Sequence, residues 1–276
     1  MRSSTSGFVA AGLRMHSRRQ FLGFTTAAAV SAAIGFSAEP VVGLIFPSSS
    51  RPVPPEAHSL YPSGVRFLTE GIGLGRTLPE DFDHLSGSVI PVAEKLSKAG
   101  ANAIVLMAPP ISFFKGAVFN QRLSDEMTRA TGVPSITAST AIVEGLNALR
   151  ARRVAVATVY TDEISLHLQG FLEQSGFEVV TVKGLGIERF EERAPVTESV
   201  TSEELLEFCV KLRESRPEAD ALLIASGYLP TLELVVPLEK RCQIPVVSAT
   251  PHTLRAGVRL AGLSGRVSGF GTLLGR

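Results

Sequence analysis

Cysteine is scarce in this chain: Cys209 and Cys242 are the only two in 276 residues, too few for a disulfide framework and too few for a zinc site. Cys209 shares the apolar side of a helical pattern with Leu205, Leu206 and Leu212, and is expected to be a buried thiol. Cys242, between Arg241 and Gln243 just ahead of a strand, stands where a thiol is open to exposure; neither cysteine is assigned a role. The five histidines show no metal-ligand spacing, and the chain lacks a phosphate-binding loop and a nucleophile elbow. The glycine run Gly71-Ile72-Gly73-Leu74-Gly75 has the wrong third spacing for a dinucleotide fingerprint and opens no helix at once, so it is expected to be a loop needing close backbone approach. A basic stripe is missing as well. Of the 27 basic residues four (Arg2, Arg14, Arg18, Arg19) precede the first acid, Glu39; the other 23 stand against 26 acidic residues, a balance of −3 that gives nucleic-acid binding no electrostatic support.

What is present begins with an export pattern. Ser17-Arg18-Arg19-Gln20-Phe21-Leu22 followed by the Ala-rich stretch Gly23 to Ala38 matches a twin-arginine signal, which implies the export machinery as a partner and a periplasmic or exported protein, tethered to the membrane if uncleaved. Met15 is a plausible alternative start. Ser31-Ala32-Ala33 is a better cleavage site than Phe36-Ser37-Ala38.

With 45% hydrophobic residues the remainder can bury a real core. Strand-like runs at Val41 to Phe46, Val65 to Thr69, Ala103 to Met107 and Ser135 to Ala138 alternate with helical patterns around Phe82 to Leu96, Lys115 to Thr131 and from Ser139 or Thr140. The rhythm then repeats: strands Val154 to Thr158, Glu178 to Val182, Ala221 to Ala225 and Pro245 to Ser248, with helices at Asp162 to Ser175, Ser202 to Ser215 and Leu229 to Arg241. Alternation of this kind predicts an α/β fold of two pseudosymmetric parallel-sheet halves, Rossmann-like or flavodoxin-like, with the site in the cleft between them. Residues 1–38 form the signal, 39–149 the first half and 150–248 the second, and a last helix from about Thr250 to Leu260, with the tail to residue 276, is expected to return to the first half. The runs Ala103 to Met107 and Ala221 to Ala225 end at Ala108-Pro109-Pro110 and Ser226-Gly227-Tyr228, and strand ends of open sheets are where ligands bind.

Gly71 to Gly75, Ser112-Phe113-Phe114-Lys115-Gly116-Ala117-Val118-Phe119-Asn120, Ala157-Thr158-Val159-Tyr160, Ser226 to Glu233 and Pro245-Val246-Val247-Ser248 resemble the arylmalonate decarboxylases of the Asp/Glu racemase and maleate isomerase superfamily, over a stretch from about Val41 to the tail. The resemblance implies a lyase or isomerase that needs no cofactor or metal and acts on a small mono- or dicarboxylate. Racemases of this superfamily keep a cysteine at a strand end in each half; the decarboxylases keep the second, which protonates an enediolate left by departing carbon dioxide. Hydroxyl and amide donors hold that charge, and fixed donors in a dry site stabilise it by several kcal/mol.

Both cysteine positions differ here. Ser226 stands at the second, and a hydroxyl is a far weaker proton donor than a thiol; Ala108 stands at the first and transfers no proton. Pro109 and Pro110 occupy positions where the family offers donors, and proline has neither a side-chain donor nor a backbone N–H. Tyr160 matches the family's phenolic donor. The Gly227 and Tyr228 amides are expected at a helix start, which favours anions. Pro47, Leu74 and Thr77 match pocket walls, and His252, just after Pro251 at the last strand end, is a candidate to replace a missing acid or base. Two readings follow: an exported enzyme relying on Ser226, Tyr160 and His252, or an exported carboxylate-binding protein that kept the cleft without turnover. The oligomeric state is left open.

Overall fold

The structure, a computed structural model, describes residues 39–49, 51–73, 85–186, 200–226, 229 and 231–276; the expectations for Leu74, Thr77, Gly227 and Tyr228, and those for the first 38 residues, lie outside them. Eight strands form two four-stranded parallel sheets. The first contains β1 (Val41–Phe46), β2 (Arg66–Gly71), β3 (Ala103–Leu106) and β4 (Ser135–Thr137) in the order β2-β1-β3-β4. The second contains β5 (Arg153–Thr158), β6 (Glu178–Gly184), β7 (Ala221–Ala225) and β8 (Val246–Ser248) in the matching order β6-β5-β7-β8. The central strands are apolar along their whole length, as parallel strands covered on both faces must be: β1, β3 and β7 are buried at every position.

Among the described residues the helices are α1 (Pro55–Leu60), α2 (Leu85–Lys98), α3 (Pro109–Phe113), α4 (Ala117–Thr131), α5 (Ala138–Ala148), α6 (Asp162–Gln174), α7 (Ser202–Glu214), α8 (Leu232–Cys242) and α9 (Ala249–Leu260). Local chemistry sets several starts. Thr137, Thr161 and Thr201 each accept a hydrogen bond from an amide three residues on, and Glu204 completes a capping box with Thr201. Two helices went unanticipated, α1 and α3, both short and opened by prolines at the first helical positions. The pattern expected from Lys115 to Thr131 starts instead at Ala117, because Gly116 lies at φ 86° and breaks the chain direction.

The two sheets agree in detail at their outer edges. Gly71 ends β2 opposite Phe46, and Gly184 ends β6 opposite Thr158. The Ile72 and Leu185 amides donate to the Phe46 and Thr158 carbonyls; the Gly73 and Gly186 amides donate to the Ser48 and Tyr160 carbonyls. A side chain has no room at either glycine, since a Cβ at Gly71 would stand 1.9 Å from the Ser48 carbonyl and one at Gly184 2.1 Å from that of Tyr160. The glycine run therefore does serve a close backbone approach, at Gly71.

α9 follows the last strand of the second sheet but packs on the first. Leu254 and Val258 join Val42, Leu44 and Val105, and the bare Cα of Gly257 lets the helix approach Val105 and Val42. A second core runs through the second sheet and takes in Phe113, Ile142 and Leu146 from the first half, and a third joins α2 and α4 to Ile45, Ile104 and Leu106.

Candidate functional site

Equivalent strands carry Ala108 and Ser226. Leu106 lies opposite Thr137 and Ile224 opposite Ser248, each partner being the residue that precedes the following helix, so Ala108 and Ser226 are both two positions past matched points. Both are buried. Ser226 Oγ accepts the Leu229 amide at 3.2 Å, and the Ser226 carbonyl accepts the Thr250 hydroxyl at 3.4 Å. The helix expected from Leu229 begins at Leu232, and Pro230 disfavours helical geometry at Leu229.

Tyr160 lies just past the neighbouring strand β5, two residues beyond Thr158, which pairs with Ala225 immediately before Ser226. Its side chain is fully buried. The ring packs on Phe113 of α3, centroids 6.0 Å apart and tilted by 56°, a geometry that aromatic quadrupoles favour. Phe113 also meets Phe171 of α6, so the end of the first sheet is wedged against that of the second.

Pro109 and Pro110 form the buried first turn of α3, which dispenses with their missing amides. The Ser112 and Ser139 hydroxyls sit 2.6 Å apart and both donate to the Pro109 carbonyl, at 2.9 and 3.2 Å. Beside them Thr137 Oγ1 donates to Asn120 Oδ1, and Asn120 Nδ2 donates to Thr140 Oγ1. Pro47 is buried just past β1.

His252 differs most from a surface cap. It is 3% exposed, in the opening turns of α9, with Nδ1 2.8 Å from the Ser248 amide nitrogen and 2.6 Å from the Ser248 carbonyl oxygen. Either bond leaves Nε2 buried without a hydrogen-bond partner. Burial pushes the imidazole down to about 4, the bond to Ser248 opposing and the Arg255 guanidinium reinforcing, so the ring is neutral at neutral pH. Cys242 is likewise buried rather than exposed, as is Cys209, whose thiol burial pushes up to about 12. His167 stacks on Phe114, ring centroids 3.8 Å apart. No cluster of three metal-ligating side chains occurs among the described residues.

The sequence model of the arylmalonate decarboxylase family matches residues 42–274. The chain belongs to this family. Its relatives include the arylmalonate decarboxylase of Bordetella bronchiseptica, 38% identical over 235 residues that make up 85% of this chain and 96% of the relative. Among solved structures, a liganded arylmalonate decarboxylase variant, with one glycine changed to cysteine and one cysteine to serine, superposes with a TM-score of 0.80 at 37% identity, covering 85% of this chain and 98% of the other. A maleate isomerase from Pseudomonas putida S16 with bound maleate shares the fold at 24% identity, with a TM-score of 0.72 over 86% of this chain and 97% of its own. The chain is thus an enzyme of the decarboxylase and isomerase group.

One group escaped the sequence reading altogether. Glu56, on α1, is buried, and its Oε1 accepts the Thr231 and Leu232 amides at 2.9 and 3.0 Å. Burial pushes this carboxyl up to about 7 against those bonds and one from the Thr231 hydroxyl. Pro54-Pro55-Glu56, prolines at a helix start with an acid in the first turn, was the available signal.

Proposed function

We propose that this chain is a cofactor-independent lyase or isomerase that acts on a small mono- or dicarboxylate through an enediolate, with Tyr160, Ser226 and His252 as its working side chains. The supporting observation is that Tyr160 and Ser226, both fully buried, follow the paired ends Thr158 and Ala225 of neighbouring strands, while a hydrogen bond from Thr250 ties the Ser226 backbone to the helix that carries His252. For an arylmalonate the carbon–carboxylate bond breaks, its electron pair moves onto the remaining carboxylate, and carbon dioxide leaves. The Tyr160 hydroxyl donates to the enediolate oxygen. A proton then passes to the α-carbon from the Ser226 hydroxyl or from His252, and water restores it to the donor. A hydroxyl and a neutral imidazole are weaker acids than the family thiol, so turnover is expected to be slow.

Assays of the purified protein against arylmalonates, maleate and acidic amino acids test this reading: carbon dioxide release or isomer formation supports it. Carboxylate binding with no turnover would instead leave a carboxylate-binding protein, and no binding at all would remove the site. We propose in addition that residues 1–38 direct export through the twin-arginine route. Arg18→Lys with Arg19→Lys should abolish periplasmic recovery, and an unchanged periplasmic fraction overturns that assignment.

A further inference from the structure

Three helices of this fold cap their own first turn with a threonine, as Thr137, Thr161 and Thr201 do. α8 does not. Thr231 stands at its N-cap but makes no cap bond, because its hydroxyl lies 2.5 Å from Ser248 Oγ. First-turn amides have no partner inside a helix and need one from outside. The partner here comes from the other half of the molecule: Glu56 Oε1 accepts the Thr231 and Leu232 amides from 175 and 176 residues away.

That bond closes a chain of contacts around the site. The loop that leaves β7 at Ser226 is pinned at its start by Ser226 Oγ on the Leu229 amide, and at its far end by Glu56 on Thr231. From Thr231 the hydroxyl pair leads to Ser248, and the Ser248 amide donates to His252 Nδ1. We infer that Glu56 is a positioning residue of the site: by holding the Thr231 and Leu232 amides it fixes the loop that carries Ser226 and, through the Thr231–Ser248 hydroxyl pair, the strand end that orients His252. The inference rests on the reading of Ser226 and His252 given above.

The neutral acid accepts those amides through its carbonyl oxygen, and the carboxylate accepts them more strongly because it also faces a helix N-terminus. His58 and Tyr61 on its own segment, Glu233 on α8, His252, Arg255 and Arg259 on α9, and Arg266 and Arg276 on the tail are the titratable and charged groups of the elements around it. Burial outweighs the hydrogen bonds from Thr231 and Leu232 and holds the group neutral up to about pH 7. Opening the loop hydrates the carboxyl and returns it toward its ordinary value, so loosening of the anchor as pH rises should appear as a limb in the pH profile near about 7.

The test compares Glu56→Ala and Glu56→Gln with the parent, in the full chain, by hydrogen–deuterium exchange and by turnover of phenylmalonate. In Glu56→Ala, exchange over residues 226–234 should rise about tenfold or more while β5 stays protected, and kcat should fall about tenfold with KM changed less than about threefold. Glu56→Gln keeps the size and the acceptor oxygen, so it should restore slow exchange and most of kcat but lose the limb near pH 7. Unchanged exchange over 226–234, acceleration shared equally by β5, or a loosened loop with unchanged kcat each overturns the inference. A parent that neither binds nor converts any carboxylate removes the proposed function instead, and the exchange measurement still decides whether Glu56 anchors the loop.

Discussion

At their outer edges the two sheets are near copies: the same glycine closure, the same pair of amide-to-carbonyl bonds and the same two-residue offset beyond β1 and β5. At the centre they part. The end of the first sheet satisfies its own polar groups, with Ser112 and Ser139 on the Pro109 carbonyl and Thr137, Asn120 and Thr140 bonded to one another. The end of the second leaves His252 Nε2 and its neighbour Thr253 Oγ1 buried with no partner. An unsatisfied buried donor or acceptor costs about 1–3 kcal/mol, and a fold keeps one most readily where something else arrives to pair with it. A shared backbone frame thus carries a bonded network at one sheet end and unpartnered groups at the other, although Ser124 Oγ on α4 is buried without a partner in the first half as well.

The largest effect is expected where the halves agree. Gly71→Ala and Gly184→Ala each drive a Cβ into a carbonyl oxygen of the backbone, and each should cost about 3 kcal/mol or more in urea unfolding. Tolerance of one and not the other would break the symmetry. Next comes Tyr160→Phe, which deletes one hydroxyl from the second half and should weaken carboxylate binding by about 1.5–3 kcal/mol, read by calorimetry. Equal affinity would move the site away from β5. The smallest effect is a gain. Ser226→Cys should raise arylmalonate decarboxylation about tenfold, or roughly 1.4 kcal/mol of barrier, while staying far below the relatives, because Pro109 and Pro110 still withhold donors worth about 2.7–4 kcal/mol each in comparable sites. Ala108→Cys, at the equivalent point of the first half, should give no such gain; if it does, the contrast between the halves fails.

The strands were legible in the sequence because parallel strands are continuous apolar runs: β1 and β7 occupy the spans their composition marks. Family resemblance pointed to Ser226 and Tyr160, which follow the paired strand ends Ala225 and Thr158. What stayed hidden depends on contacts distant in sequence. Nothing near His252 signals its burial, which comes from α9 crossing to the first sheet, and nothing near Glu56 signals partners 175 residues on. Pro230 did carry a warning that the helix behind Ser226 starts late.

Glu56 and His252 also set how this fold answers to acid. Between about pH 4.5 and 6.5 an unfolded chain holds Glu56 ionised and His252 charged, whereas the folded chain holds both neutral, with Glu56 pushed up to about 7 and His252 down to about 4. Taken alone, the raised acid contributes stability below about pH 4.5 that is lost as pH rises through about 7. The depressed histidine contributes stability above about pH 6.5 that is lost as pH falls through about 4. Together they carry one proton in either state, so folding is proton-neutral at this pair and stability there is level with pH. Urea midpoints of the single variants would uncover the two slopes, each about 1.4 kcal/mol per pH unit: Glu56→Gln weakening toward acid, His252→Gln toward neutrality. An acid shift within that range therefore costs the fold nothing at this pair, while two buried groups retain the ability to exchange protons.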